Sequence, residues 1–176
     1  MNYLLGLGSN IRPTENLPLG VFHLLAHFGA LELSSVAETA PVEMVSSQTF
    51  LNAVAWLQCD LEPASLKAQL NAIEITLGRD RSDRERGRKD RPLDIDILFA
   101  GTAMVPSDLP SEPYLRPLAA ELLTAKGELR VRVPGLAVRS VMLAGQPIGS
   151  RPARLVWEPA TDAIAVTDLR EAAVAD

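Results

Sequence analysis

One segment, RPLDIDILF at residues 91–99, restricts the possible folds more than any other stretch of the chain. Leu93, Ile95, Ile97 and Phe99 alternate there with Asp94 and Asp96. Alternation with a period of two is that of a β-strand, whose successive side chains point to opposite sides. The apolar residues then share one face, and the acids share another that is open to solvent and ligand. Two carboxylates on one face repel at close range. A cation between them removes the repulsion. On this reading, the substitutions Asp94→Asn and Asp96→Asn leave the metal-free protein no less stable.

The surrounding segments supply the rest of the fold. Residues 2–8, NYLLGLG, read as a first strand that ends in the turn GLGSN. Leu17, Val21, Leu24, Leu25 and Phe28 keep helical spacing. Asn16 is a candidate N-cap, and Pro18 is tolerated in a first turn. Residues 31–39 and 50–60 (FLNAVAWLQCD) read as two further strands. Leu66, Leu70, Ile73 and Leu77 form the stripe of a second helix, which Gly78 stops before the acid strand at 92–99. The order β-α-β-β-α-β is the ferredoxin-like arrangement. The expectation is an α+β fold with a mostly antiparallel sheet, helices on one face and extra C-terminal strands.

Beyond Gly101, residues 114–124 read as a short helix and GELRVRVPG (127–135) as a strand. RLVWEPATDAIAV (154–166) reads as a hairpin, and the tail from Leu169 as a short helix or frayed end. A chain of 176 residues, 47% of them hydrophobic, can bury one core. We expect a single domain over residues 1–176, with its core at about 1–125 and an extension at about 126–176.

Several function classes fall away. The net charge of −5 argues against a nucleic-acid coat protein. Aromatic content is 5%, and no strand shows paired aromatics on which bases would stack. Cys59 is the single cysteine, so no intrachain disulfide forms and a reducing cytoplasm is the expected home. The opening MNYLLGLGSN lacks the pattern of a signal peptide, and no apolar run is long enough to span a bilayer. His23 and His27 have i,i+4 spacing, but no acid accompanies them and Leu24 and Leu25 face the core. Cys59 lacks a basic neighbour and reads as a buried, inert thiol. Trp56 and Trp157 read as packing residues, while Ser9, Ser46 and Ser47 lack triad context.

One polar segment does point to chemistry. GRDRSDRERGRKDR, residues 78–91, carries Arg79, Arg81, Arg84, Arg86, Arg88, Lys89 and Arg91 against Asp80, Asp83, Glu85 and Asp90. Taken alone, it is a solvated surface loop. Beside Asp94 and Asp96 it supplies what a magnesium–polyphosphate site needs: hard oxygen ligands for the metal and guanidinium forks for phosphate oxygens.

GLGSN near the start, ETAPVE at 38–43, FLNAV at 50–54, IEITLGR at 73–79 and RPLDIDILF at 91–99 occur in an order and spacing similar to those of the 6-hydroxymethyl-7,8-dihydropterin pyrophosphokinases. The resemblance covers about residues 1–101. It implies a ferredoxin-like core, and transfer of a pyrophosphoryl group from ATP to the hydroxymethyl oxygen of a pterin with release of AMP, a step of folate synthesis. It implies that Asp94 and Asp96 hold two Mg²⁺ ions. Asn52 then hydrogen-bonds the pterin ring, Phe50 lines its pocket, Thr39 and Val42 form the rim, and Gly8 lies beside it. Glu74, Arg79, Arg81 and Ile97 fall near the nucleotide. Arg91 binds phosphate and, with Arg79, joins the catalytic set. The implied partners are the pterin and ATP, with no nucleic acid and no membrane. A monomer is expected, with a dimer as the alternative.

The family's next segment has the form PHxxxxxRxFxxxPL, and here the chain departs from it. LPSEPYLRPL at 109–118 is several residues shorter, and Ser111 stands in place of the histidine. Tyr114 and Arg116 are the candidates to replace the missing aromatic and arginine, at altered spacing. The departure leaves a second reading: a divergent paralogue that binds pterin or nucleotide with little or no turnover.

Overall fold

The computed structural model describes residues 1–42, 46–80, 82, 89–130 and 135–169. Along the chain, β1 (Asn2–Ser9) is followed by α1 (Pro13–Phe28), β2 (Ala30–Leu33) and β3 (Val36–Thr39). Next come β4 (Phe50–Gln58), α2 (Pro63–Thr76) and β5 (Asp94–Gly101). A one-turn 3₁₀ helix, Pro106–Asp108, leads to α3 (Arg116–Ala125). The remainder comprises β6 (Val138–Arg139), β7 (Val141–Leu143), β8 (Gln146–Ile148), β9 (Ala153–Glu158) and β10 (Ala163–Asp168).

The fold is mixed, with a mostly antiparallel sheet. Its strand order is β10-β9-β2-β4-β1-β5; β3 lies beside β4 and takes β6 on its other side, and β7 and β8 form a separate hairpin. The alternation of β1 decides what each face carries. Tyr3, Leu5 and Leu7 point to one side, with Ala53, Ala55 and Leu57 of β4, and meet α1 and α2. Leu4, Val54 and Trp56 point to the other side, beneath Leu118, Leu122 and Leu123 of α3. The buried leucines of each layer supply the main folding drive, about 1.5–3 kcal/mol for each side chain fully withdrawn from water.

The structure corrects several expectations. Not all helices lie on one face: α1 and α2 share a layer, and α3 packs on the opposite one. The strand expected at 31–39 splits at Ser34 and Ser35, both fully buried. Ser34 Oγ accepts the Val54 N–H at 2.9 Å, and Glu121 of α3 accepts from the Ser35 N–H and hydroxyl at 3.1 and 2.9 Å. Helix α1 begins at Pro13, with Arg12 at its N-cap in the left-handed conformation (φ 40°). Asn16 is therefore inside the first turn, where its Nδ2 donates to the Ile11 carbonyl at 2.6 Å, and Pro18 lies in the helix interior. Residues 127–130 form no strand, and 131–134, like the tail at 170–176, lie outside the described residues. The hairpin expected at 154–166 is β9–β10, in register from Ala163↔Glu158 to Asp168↔Ala153. Cys59 is half-buried rather than buried. Among the described residues no helix is long and apolar enough to cross a membrane.

One correction concerns the acid strand. The register between β1 and β5 shifts between Leu4 and Leu5, which pair with Phe99 and Ile97 respectively. Leu98 is the extra residue of a bulge, which reverses the alternation beyond it. Leu93, Ile95 and Ile97 pack with α1 and α2 as expected. Phe99 instead turns to the face of Asp94 and Asp96, where it stacks on Trp56 with ring centroids 6.3 Å apart.

Candidate active site

A cavity of about 640 Å³ opens on the α3 side of the sheet, over β1, β4 and β5. Its size falls within the range of small-molecule pockets, roughly 300–1,000 Å³. Gly6 and Gly8 form part of its floor. A Cβ at Gly8 would meet Asn52 Oδ1 at 2.9 Å, and one at Gly6 would meet the side chains of Leu98 and Leu115 at 3.2 Å. Glycine at 8 therefore keeps space for the amide of Asn52, which lies opposite it in the β1–β4 register. Asn52 is 3% exposed, and its Nδ2 donates to Thr39 Oγ1 at 2.7 Å. That bond ties β4 to β3 and turns the amide oxygen to the space above Gly8. Phe50 presents a ring to the same cavity, with the Arg91 guanidinium 5.9 Å from its centroid.

Asp94 and Asp96 line the cavity's β5 side, in different settings. Asp94 is held between Arg79 and Arg91, each donating to a different carboxylate oxygen. Arg79 also donates to the Leu93 carbonyl at 3.1 Å and pairs with Glu74 at 3.4 Å. Glu74 is fully buried and accepts the Ile95 N–H at 2.8 Å. The C-terminal end of α2 thus clamps the start of β5 through an alternating chain of charges. Asp96 has a side chain 61% exposed and pairs with Lys67 of α2 at 2.8 Å. The expected repulsion between the acids is therefore met by protein cations, and Asp94 is a structural partner as well as a cavity residue.

The turn after β1 holds Arg91 in place. Asn10 is 3% exposed; its Oδ1 accepts the Arg91 N–H at 2.7 Å and its Nδ2 donates to Asp90 at 2.6 Å. The Asn10 and Ile11 N–H groups both donate to the Arg91 carbonyl, at 3.2 and 3.3 Å. The GLGSN turn and the beginning of the acid strand are thereby one unit.

Of the residues singled out in the sequence, Gly8, Thr39, Val42, Phe50, Asn52, Arg91, Asp94 and Asp96 line this one cavity. Arg79 stands behind Asp94 and lines a smaller recess of about 170 Å³, together with Lys89 and Arg91. Glu74 is buried between α2 and β5, and Ile97 packs on the α1–α2 layer, so neither lines the cavity. Arg81 lies outside the described residues. Tyr114 lines the cavity, whereas Arg116 donates to the carbonyls of Leu109 and Pro110 at 3.3 and 3.2 Å. Burial, and then the Glu112 carboxylate, push the Tyr114 phenol above its ordinary range, so it remains a protonated donor through neutral pH. Lys67 and Asn10 were not expected. Lys67 lies in no motif, Asn10 ends the GLGSN segment without a role assigned to it there, and each acts on a residue far away in sequence.

The profile of the 7,8-dihydro-6-hydroxymethylpterin-pyrophosphokinases matches residues 4–134. The chain belongs to this family. It is 38% identical over 97 residues to the 2-amino-4-hydroxy-6-hydroxymethyldihydropteridine pyrophosphokinase of Porphyromonas gingivalis, covering 54% of this chain and 66% of that one. It is 30% identical over 113 residues to the enzyme of the same name from Haemophilus influenzae, covering 62% and 69%. A folate synthesis bifunctional protein of Arabidopsis thaliana is 33% identical over 115 residues, covering 64% of this chain and 23% of the relative.

A magnesium site of the pyrophosphokinase kind fits these residues. Magnesium commonly takes one or two carboxylates and completes its shell with water and substrate phosphates. Asp94 and Asp96 offer that donor set on a cavity wall. No group of three or more His, Cys, Asp or Glu side chains that would cage a metal occurs among the described residues.

Proposed function

We propose that this pyrophosphokinase-family chain transfers a pyrophosphoryl group from ATP to the hydroxymethyl oxygen of 6-hydroxymethyl-7,8-dihydropterin, releasing AMP, in folate synthesis. The observation that carries the reading is that Asp94 and Asp96 enter the same cavity as Phe50 and Asn52. A flat heterocycle with a hydrogen-bonding edge suits a ring face and a fixed amide. In the reaction the hydroxymethyl oxygen forms a bond to the β-phosphorus of ATP. The bond from that phosphorus to the α–β bridging oxygen breaks, and AMP leaves with that oxygen.

Such a transfer needs positioning and charge neutralisation more than covalent work by the protein. Asn52, fixed by Thr39, orients the pterin edge, and Phe50 covers its face. Arg91 directs a guanidinium toward the phosphates, while Arg79 holds Asp94 in register. Tyr114 supplies an aromatic wall from the shortened segment. Asp94 and Asp96 are the magnesium ligands in this reading, with two ions expected. When bound, magnesium neutralises phosphate oxygens and acidifies the attacking hydroxyl.

The wider reading is a monomeric, cytoplasmic protein with no nucleic-acid or membrane partner, built as one domain. The order β5-β1-β4-β2, with α1 and α2 on one layer, supports a ferredoxin-like core. The second reading is a pterin- or nucleotide-binding protein of little turnover. It is favoured by Arg116, whose guanidinium is engaged by backbone carbonyls rather than directed into the cavity. The test is incubation of the folded protein with ATP, Mg²⁺ and the hydroxymethyl dihydropterin. Pterin-dependent AMP release supports the first reading. Pterin binding by calorimetry without AMP above a blank supports the second.

A further inference from the structure

We infer that Lys67 is a positioning residue of the acid pair: an exchangeable counter-ion that holds Asp96 until a metal–nucleotide takes that carboxylate, and then turns to the phosphate oxygens. The inference rests on the pyrophosphokinase reading of the cavity. Helix α2 packs on the face opposite the cavity, yet β5 is the last strand of the sheet order, and among the described residues no strand pairs with its outer side. The Lys67 side chain reaches round that edge. Its Nζ donates to the Ile95 carbonyl at 2.7 Å and to Asp96 Oδ1 at 2.8 Å. An ammonium has three donors, so one remains for a further acceptor beside Asp96.

The cations around the acids differ in how easily they can move. Arg79 and Arg91 have side chains 9% and 14% exposed and share Asp94. Moving either would take one of two partners from a shielded carboxylate, which is costly. The Lys67–Asp96 pair is 33% and 61% exposed. Exposed bridges are weak, and lysine is a compact charge on a flexible stem that serves phosphate well as a point charge. Among the described residues, Lys67 is the cation paired with Asp96. A bare divalent cation therefore has to compete with Lys67 for Asp96. A metal that arrives with a polyphosphate brings anionic oxygens to which the released ammonium can transfer.

The test compares the unaltered protein with Lys67→Met, which keeps the apolar stem, and Lys67→Arg, which keeps the charge. Mn²⁺ alone is titrated and followed by electron paramagnetic resonance of the free ion. The Mg²⁺ complex of α,β-methylene-ATP is titrated by calorimetry. Lys67→Met is expected to bind Mn²⁺ about threefold more tightly and the metal–nucleotide about tenfold more weakly, with Lys67→Arg close to the parent in both. Opposite shifts of the two affinities distinguish positioning from a structural role, since a damaged fold weakens both. Mn²⁺ affinity unchanged or weaker in Lys67→Met, or nucleotide affinity within twofold of the parent, overturns the inference. The pyrophosphokinase reading is decided separately, by AMP release from the unaltered protein. Nucleotide binding without turnover removes that reading, while the two titrations still decide the role of Lys67.

Discussion

Asp94 and Asp96 stand two residues apart on one strand, yet the structure gives them different duties. Among the described residues, Asp94 joins two shielded arginines and Asp96 meets one partly exposed lysine. In EDTA, Asp94→Asn should lose about 2–3 kcal/mol of unfolding free energy, because it breaks partly buried charge-assisted bonds. Asp96→Asn should change stability by about 0–1 kcal/mol. With excess Mg²⁺, both should lose about 10²-fold or more in rate. Urea melts beside an AMP-release assay check this split; equal melts for the two variants would contradict it. Gly8→Ala tests the proposed pterin wall. Its Cβ would lie 2.9 Å from Asn52 Oδ1, so the amide must shift from its bond to Thr39. Pterin affinity, measured calorimetrically, should fall about tenfold or more with little change in metal–nucleotide affinity. Several of these residues were legible because a strand period of two puts acids on one face, and because short segments resembled a family. Lys67 was not legible. Its partner lies 29 positions away, and only the meeting of α2 with the edge of β5 reveals the pair.

Elements carry the next level of control. The turn between β1 and α1 sets the start of β5 through Asn10, whose amide is bonded to Asp90 and to the Arg91 N–H. Asn10→Ala removes both bonds at a site 3% exposed. It should cost about 1–3 kcal/mol, largely from removing the acceptor of the part-buried Arg91 N–H. It should also raise the KM for ATP more than that for pterin, since Arg91 is loosened while Asn52 and Phe50 keep their places. Denaturation and initial-rate series give the two readouts; an equal rise in both KM values would assign Asn10 a general structural role. Helices and strands were read from periodicity where the period was clean, as in Leu66, Leu70 and Ile73 of α2. The misses occur where tertiary packing breaks the period. The bulge at Leu98 sends Phe99 to Trp56, and the buried serines divide β2 from β3. A one-residue slip leaves no trace in composition, because leucine and phenylalanine suit either face.

At the scale of the molecule, the family match ends at residue 134 while the packing continues past it. Leu155 and Ile164, 0% and 2% exposed, belong to the same apolar layer as Leu24 and Leu25 of α1. Strand β9 pairs with β2 from Ala30↔Val156 to Leu33↔Ala153, and the Trp157 N–H donates to the Gly29 carbonyl at 2.7 Å. The turn after β8 is tied in as well: the Val36 N–H donates to the Gly149 carbonyl at 2.8 Å. The sequence beyond 125 was hard to read because β6, β7 and β8 are only two or three residues long, and β6 and β9 also pair with the distant strands β3 and β2. From this packing we predict that the extension melts with the core in one transition. Gly149→Ala is the test, because it perturbs one point of contact without removing chain. Gly149 has φ 88°, and a Cβ there would come within 2.5 Å of Val36 Cγ2. Strain in the left-handed region and the clash together should cost about 2 kcal/mol or more. In a chain of this size that lowers Tm by roughly 4–8 °C. Near-ultraviolet circular dichroism, weighted by Trp56 in one layer and Trp157 at the other, should show a single shifted transition that coincides with loss of nucleotide binding. A separate early transition, with the binding midpoint unmoved, would show that the extension is an independent unit.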